Sequence, residues 1–386
     1  MEIAEYNYIT QEKYDTLRAG KIRFDDILYC LRGSLGKTAI VDFEGQGAIS
    51  SSLCILRVGL SVTVKYIYYL LNSHVIKQQQ LSFENGSAQP NLSATNVLNY
   101  SIPLPPFAEQ RRIVSRIESL FAKLDAAKEK ITAALDTFAE RKAAILHKAF
   151  SGELTAKWRE ENGVELESWK DCTINDIAMI KGGRRLPPNC KLMNVATNHP
   201  YIRVTDFYNL SIKTDNIQYI DDKTFDKIKR YIISEKDVYI SIAGTIGKVG
   251  VIPSFLNNAN LTENAAKISI IDEQKCKQQF LLLLLCSDIV QQQIREFTIS
   301  TSQPKLALFR IEKIKISLPT LPEQKEIVRI LDSVSEKEQR AKAAAENALA
   351  SIDTMKKAIL VRAFRGQLGT NDPADENACE LLRQVL

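Results

Sequence analysis

Glu323-Gln324-Lys325 sets a carboxylate and an ammonium two residues apart, the E-x-K order with which many nucleases hold a metal ion and its water. A near copy, Glu109-Gln110-Arg111, stands earlier in the chain. Both follow prolines at the start of an expected helix, where the positive end of the helix dipole already accounts for a glutamate. A metal-dependent nuclease is therefore the weakest reading. His74, His147 and His199 have neither HExxH nor HxH spacing and no acidic partner nearby in sequence. The seven cysteines show no CxxC spacing and are odd in number, which fits reduced thiols rather than a disulfide framework or a zinc site. Gly33-Ser-Leu-Gly36-Lys37 is too short for a GxxxxGK[ST] phosphate cradle, and Leu186-Pro187-Pro188-Asn189 reverses the Asn-Pro-Pro-Tyr order of methyltransferases. No catalytic set and no metal site emerges.

What remains are loops rich in glycine, hydroxyls and cations, suited to holding a nucleic-acid backbone. Arg32, Ser34 and Lys37 lie in one such turn, and Thr245 and Lys248 in a second, Ala243-Gly-Thr-Ile-Gly-Lys248. Lys181, Arg184 and Arg185 lie in Lys181-Gly-Gly-Arg-Arg185, and Arg203 lies within a strand candidate. Backbone amides and cations here can meet phosphates, while arginines and amides read base edges. Gln89 and Asn91 match Gln303 and Lys305 in position, and the change from Asn91 to Lys305 suits two copies that read different sequences. Taken singly, each loop reads as a plain turn.

These loops are positioned by an internal repeat. An offset of 214 carries Gln89-Pro90 to Gln303-Pro304, Glu109-Gln110 to Glu323-Gln324, Ile117 to Leu331 and Gly152 to Gly366, without a gap from 89 to 154. Upstream the offset is 211, taking Ile27-Leu28-Tyr29 and the turn after it to Val238-Tyr239-Ile240 and its turn. Apolar or small residues at 113, 117, 120, 124, 127, 131, 134, 138 and 145 give a heptad seam, interrupted at Arg141. Leu331, Val334, Ala341, Ala345, Ala348, Ile352, Met355 and Ile359 repeat it, with Glu338 as the exception. About forty residues make a helix of roughly 60 Å. The two helices are expected to pair antiparallel, with Ala341, Ala345 and Ala348 leaving room for Phe138, Ile131 and Leu135. Ile117, Leu124, Ile131, Phe138 and Ile145 would face Leu331, Val334, Ala345, Ile352 and Ile359.

The expected fold class is α+β: two similar mixed α/β domains, each followed by a long helix. The first domain spans 1–104 and its helix 105–152; a polar connector follows at 153–168. The second domain spans 169–318, its helix 319–366, and an acidic tail 367–386. In the first domain, residues 66–80 read as an amphipathic helix and Ser101–Pro106 as a strand; in the second, Ile174, Ile177 and Ile180 share helical spacing and Tyr201–Val204 reads as a strand. Carried back by 211, the counterpart of Trp169 falls before residue 1, so the first domain is expected to lack the opening stretch of its twin.

At 386 residues, 45% hydrophobic and 25% charged, the chain has globular values and room for two cores. A net charge of +5 permits an anionic partner without demanding one. The N-terminus is no signal peptide and the longest apolar run, Phe280–Cys286, is far short of a membrane span, so a soluble, cytoplasmic protein is expected.

The repeated module resembles the specificity subunits of type I restriction–modification systems. The resemblance rests on LPPFAEQRRIV and LPTLPEQKEIV, on AILHKAFSGELT and AILVRAFRGQL, and on the GSLGK and GTIGK turns, and it covers almost the whole chain. It implies two target-recognition domains reading the halves of a split site in double-stranded DNA, with the helices as a ruler between them. It implies two methylation subunits as partners and restriction subunits through them. It also implies that this chain catalyses nothing and binds no cofactor, S-adenosylmethionine and, for restriction, ATP and Mg belonging to the partner subunits. A first domain without its opening stretch departs from the family. The second domain is then expected to read DNA and the first weakly or not at all, the alternative being a subunit that acts mainly as an assembly scaffold.

Overall fold

The computed structural model describes residues 7–59, 61–83, 91–298 and 304–383. The chain folds as two units: Met1–Leu135 with Ala343–Leu386, and Asp136–Lys342. The first opens with a short helix, α1 (Gln11–Thr16), capped by Thr10. Its sheet has the order β2-β1-β3, with β1 (Ile27–Cys30) between β2 (Thr38–Ile40) and β3 (Leu53–Leu56), all antiparallel. Ile27, Leu28 and Tyr29 are buried, as their apolar run predicts. The expected helix over 66–80 is instead two, α2 (Val64–Leu71) and α3 (His74–Phe83), broken at Asn72-Ser73. The twin breaks at the matching Ser287, whose hydroxyl donates to Leu284 O at 2.6 Å, the local bonding that draws serine out of helices.

The short α4 (Ala94–Leu98) is capped by Ser93 and precedes Ser101–Pro106, which forms no strand because none of the described residues pairs with it. The expected helix over 105–152 is α5 (Phe107–Asp136) and α6 (Phe138–Phe150), interrupted only at Thr137, where the backbone stays helical at φ −80° and ψ −11°. The polar connector over 153–168 is itself folded. It contains α7 (Ala156–Asn162), closed by Gly163 at φ +62°, and buries Thr155 and Arg159.

In the second unit, β4 (Lys170–Thr173) leads into one helical turn, α8 (Ile174–Ile177), and then β5 (Ala178–Gly182). The helical spacing thus stops at Ile177, and Ile180 is buried from a strand. There follow β6 (Pro200–Ile202), β7 (Phe207–Tyr208), β8 (Ser211–Ile212), β9 (Gln218–Tyr219), α9 (Asp222–Ile228), β10 (Ile232–Ile233), β11 (Val238–Ser241), β12 (Val249–Gly250), β13 (Ala259–Leu261) and β14 (Ala265–Ile270). The strand expected at Tyr201–Val204 ends at Ile202, because a single 3-10 turn occupies Val204–Asp206. After β14 come α10 (Gln278–Cys286), α11 (Asp288–Thr298), α12 (Leu308–Glu312), β15 (Lys315–Leu318) and α13 (Leu321–Ala363); the tail ends in α14 (Ala378–Arg383). One sheet runs β12-β11-β14-β5, a second β10-β13-β6-β9, and β4 pairs with β15. The first three strands of that first sheet match β2-β1-β3: Tyr29 faces Cys54 as Ile240 faces Ala266.

Each unit packs one end of the two long helices. In the first, Ile113, Val114 and Ile117 share a core with Leu360, Ala363 and Phe364, and Asp125 meets Lys356 at 2.5 Å, so α5 and the end of α13 run antiparallel. In the second, Leu146, Ala149 and Phe150 share a core with Ile327 and Leu331. Ile117, Leu331 and Ile352 are buried; Leu124, Ile131, Phe138, Ile145, Val334, Ala345 and Ile359 are half-buried. The seam differs from the expected one at Ala134, Ala341 and Met355. Ala134 and Ala341 are exposed, as is Met355 at 47%, while Leu135 and Lys356 turn inward. A helix of 3.6 residues per turn drifts against a strict heptad, which moves the inward position by one residue. Lys356 accommodates this by laying its ammonium 5.2 Å from the Phe121 ring centroid as it reaches Asp125.

All seven cysteines are free thiols. Burial pushes the Cys276 thiol up to about 12 and that of Cys286 to about 11, whereas Cys379 is exposed. Because the thiolate is the nucleophile, mild alkylation at pH 8 will label Cys379 first and leave Cys276 and Cys286 unmodified until the protein is denatured. Mass spectrometry of timed aliquots checks this.

Candidate nucleic-acid interface

The turn that joins β1 to β2 and the one joining β11 to β12 are built alike. Gly36 N donates to Cys30 O and Gly247 N to Ser241 O, each at 3.0 Å. Gly36 and Gly247 sit at φ +74° and +85°, where glycine alone is unstrained. A glutamine braces the turn from behind: Gln291 donates to Gly247 O at 3.0 Å, and a Cβ on Gly36 would strike Gln80. Closing the turn this way leaves three successive amides, of Gly33, Ser34 and Leu35 or of Gly244, Thr245 and Ile246, without a hydrogen bond to any described residue. Consecutive free N–H groups form a concavity for anions. Around them Arg32, Ser34 and Lys37, and in the second unit Thr245 and Lys248, are exposed.

The structure also brings the matching loops to these turns. Asn91 bridges Arg32, and Lys305 bridges Ala243. Thus Arg32, Ser34, Lys37 and Asn91 converge in one unit, and Thr245, Lys248 and Lys305 in the other. Gln89 and Gln303 lie outside the described residues.

The KGGRR stretch occupies a different cleft of the second unit, about 400 Å³ in volume and lined by Lys181, Gly183, Arg230, Tyr231 and Lys267. Gly183 is required there, since a Cβ would collide with the carbonyls of Leu261 and Thr262. Lys181 and Arg230 are exposed and make no ion pair among the described residues, and the Arg184 guanidinium lies 5.6 Å from the Tyr231 ring centroid. Lys267 is held by Asp237 at 3.2 Å. Arg185 pairs with Glu263 at 2.7 Å, which keeps its guanidinium above the usual range. Arg203 is engaged within its own turn by Asp206 and by Asn216 O. Its fork braces the fold at that point. Arg230, Tyr231 and the exposed Tyr208 with Lys213 over its ring were missed from sequence; the run Lys229-Arg230-Tyr231 was the available signal.

The residues that imitate catalytic motifs are structural. Glu323 is fully buried and accepts from Thr155 Oγ1 at 2.7 Å, Arg159 Nη1 at 2.6 Å and Trp169 Nε1 at 2.8 Å. Gln324 accepts from Lys277 N at 3.0 Å and donates to Lys275 O and Pro319 O. Gln110 repeats this on Thr63 N, Ser61 O and Pro105 O. His199, expected without an acidic partner, meets Asp222 at 2.9 Å while stacked on Phe225; the partner comes from the next helix start.

A family model described as "Type I restriction modification DNA specificity domain" matches residues 4–137 and 166–347. The chain is 25% identical over 298 residues to the type I restriction enzyme EcoBI specificity subunit of Escherichia coli, a match covering 72% of this chain and 60% of that protein's length. It is 21% identical to the EcoKI specificity subunit of Escherichia coli K12, covering 90% of this chain and 76% of that one. In fold it is similar to the crystal structure of the HsdS subunit from Thermoanaerobacter tengcongensis, with a TM-score of 0.65, 23% identity, and coverage of 90% of this chain and 82% of the other.

Proposed function

Because the chain belongs to the type I restriction–modification DNA specificity family, we propose that it is the non-catalytic, DNA-reading subunit of such a complex. The observation that supports this reading most directly is the repeated turn with three free amides, flanked by exposed cations and hydroxyls, at equivalent places in both units. Amides and cations there hold phosphates and set register; the Lys181–Arg184–Arg230 cleft adds cations and an aromatic face in the second unit. The target is double-stranded DNA with a bipartite site. Methylation subunits supply the chemistry and bind S-adenosylmethionine, restriction subunits join through them with ATP and Mg, and the complex works in the cytoplasm.

Co-expression with a matching methylation subunit, followed by mapping of methylated sites, tests the proposal. A split motif with two defined halves is the expected result; methylation without sequence preference would overturn the reading function. One observation favours a second reading, in which the first unit serves mainly as scaffold: its sheet has three strands where the second unit has four. A motif with a single defined half would support that alternative.

Replacing Lys181, Arg184 and Arg230 together by alanine will weaken DNA binding at least tenfold. Removing a phosphate-binding cation also flattens the dependence of log affinity on log salt, by about 0.9 for each phosphate released. Fluorescence anisotropy on a labelled duplex from 50 to 200 mM salt reads both, and an unchanged slope would remove these residues from the interface.

A further inference from the structure

At one place the repeat fills a space in the first unit and leaves its counterpart open in the second. In the first unit Tyr69 of α2 and Phe121 of α5 meet edge to face, with ring centroids 5.8 Å apart. The Lys356 ammonium lies 5.2 Å from the Phe121 centroid, and Lys65 pairs with Glu118 at 2.7 Å. The offset of 214 sets Leu283 where Tyr69 stands, Ser335 where Phe121 stands and Lys142 where Lys356 stands. Neither ring is present in the second unit, but the lysine is.

The matching space stays open. A cavity of about 160 Å³ lies between α6, α10 and α13, with Ile145, Leu146, Leu283, Leu331 and Val334 among its walls. Leu210, from the turn between β7 and β8, is a further wall, and it is held at φ +61°, where a leucine is strained. Strain of this kind persists only where the surroundings impose it, and it collects at ligand clamps. The polar side of the cavity is made by Lys142, Asp332, Ser335 and Glu338. Gln279 replaces Lys65 and has no charge for Asp332, while Glu338 stands in the place of Leu124. The charged groups at this mouth make no ion pair among the described residues.

We propose that this cavity binds a small molecule with one aromatic ring that carries a hydroxyl, a phenol. An apolar cavity of about 150 Å³ takes up benzene, so the space suits a single ring and is too small for a nucleoside. The ring takes the place that the Phe121 side chain fills in the first unit. Lys142 then lies against its face as Lys356 lies against Phe121, an ammonium on the negative face of a π system. The apolar walls remove the ring from water. The hydroxyl donates to the carboxylate of Asp332 or Glu338 at the mouth, a charge-assisted bond.

Fluorine NMR of para-fluorophenol titrated into the full chain tests the proposal. Saturable binding is expected. Ser335→Phe, which restores the ring of the first unit, should weaken it at least about tenfold without lowering the thermal midpoint of the protein. Lys142→Met keeps the stem and removes the ammonium, and should weaken binding about threefold. Lys142 is exposed, so this variant leaves the core intact. Cyclohexanol has the same size without a π face and should compete about threefold more weakly than phenol. Absence of saturable binding would leave the space to water and overturn the proposal. Binding that neither Ser335→Phe nor Lys142→Met changes would do the same, and equal competition by cyclohexanol would overturn the assignment of an aromatic ring. No DNA is present, so the outcome is independent of the reading function.

Discussion

Replacing Glu323 by alanine will cost the second unit about 3–5 kcal/mol of stability, the expected penalty for stranding a buried charge. The cation left behind is Arg159, whose side chain is 8% exposed and whose other donors already go to Thr155 Oγ1 and Gly152 O. Trp169 loses its acceptor at the same time. Glu323→Gln keeps an oxygen for one donor and should lose less. The same change at Glu109 removes no hydrogen bond among the described residues and should cost at most about 1 kcal/mol. Urea unfolding, followed by hydrogen exchange to assign the affected unit, measures the contrast. Equal losses at Glu109 and Glu323 would mean that the two joints are held alike.

Ile117→Asp should be nearly as damaging, at about 4 kcal/mol, because its side chain is fully buried in the apolar core that α5 shares with the end of α13. Phe138→Asp, at an equivalent seam position, should cost only about 1–2 kcal/mol. Phe138 is half-buried, and the Arg141 guanidinium already lies 4.5 Å from its ring centroid, ready to pair with a carboxylate. The seam is therefore unequal along its length, tightest where each end meets a globular core. Circular dichroism through a urea titration of both variants decides the matter; a larger loss for Phe138→Asp would reverse this ordering.

Much of this architecture was legible in the sequence, and the legible parts share a cause. The repeat, the buried run Val238-Tyr239-Ile240 and the glycine turns are local patterns, set by neighbours within a few positions. What escaped depends on distant partners. Lys157-Trp158-Arg159-Glu160-Glu161 looks like a solvated run, and nothing nearby marks Arg159 as buried, since Glu323 lies 164 positions away. Residues 101–106 have strand composition but no strand to pair with among the described residues, and propensity alone does not form one. Arg203 has the composition of a base reader, yet Asp206 and Asn216 O hold its guanidinium.

The joints at Gln110 and Gln324 have a bearing on how such a protein changes over generations. Among the described residues, each carboxamide grips its globular head through main-chain atoms: Thr63 N, Ser61 O and Pro105 O in one case, Lys277 N, Lys275 O and Pro319 O in the other. A fastening that engages no side chain is indifferent to which side chains the head carries. Substitutions on the surface of the head therefore accumulate without loosening it from the helix, because the fastening depends on the backbone path alone.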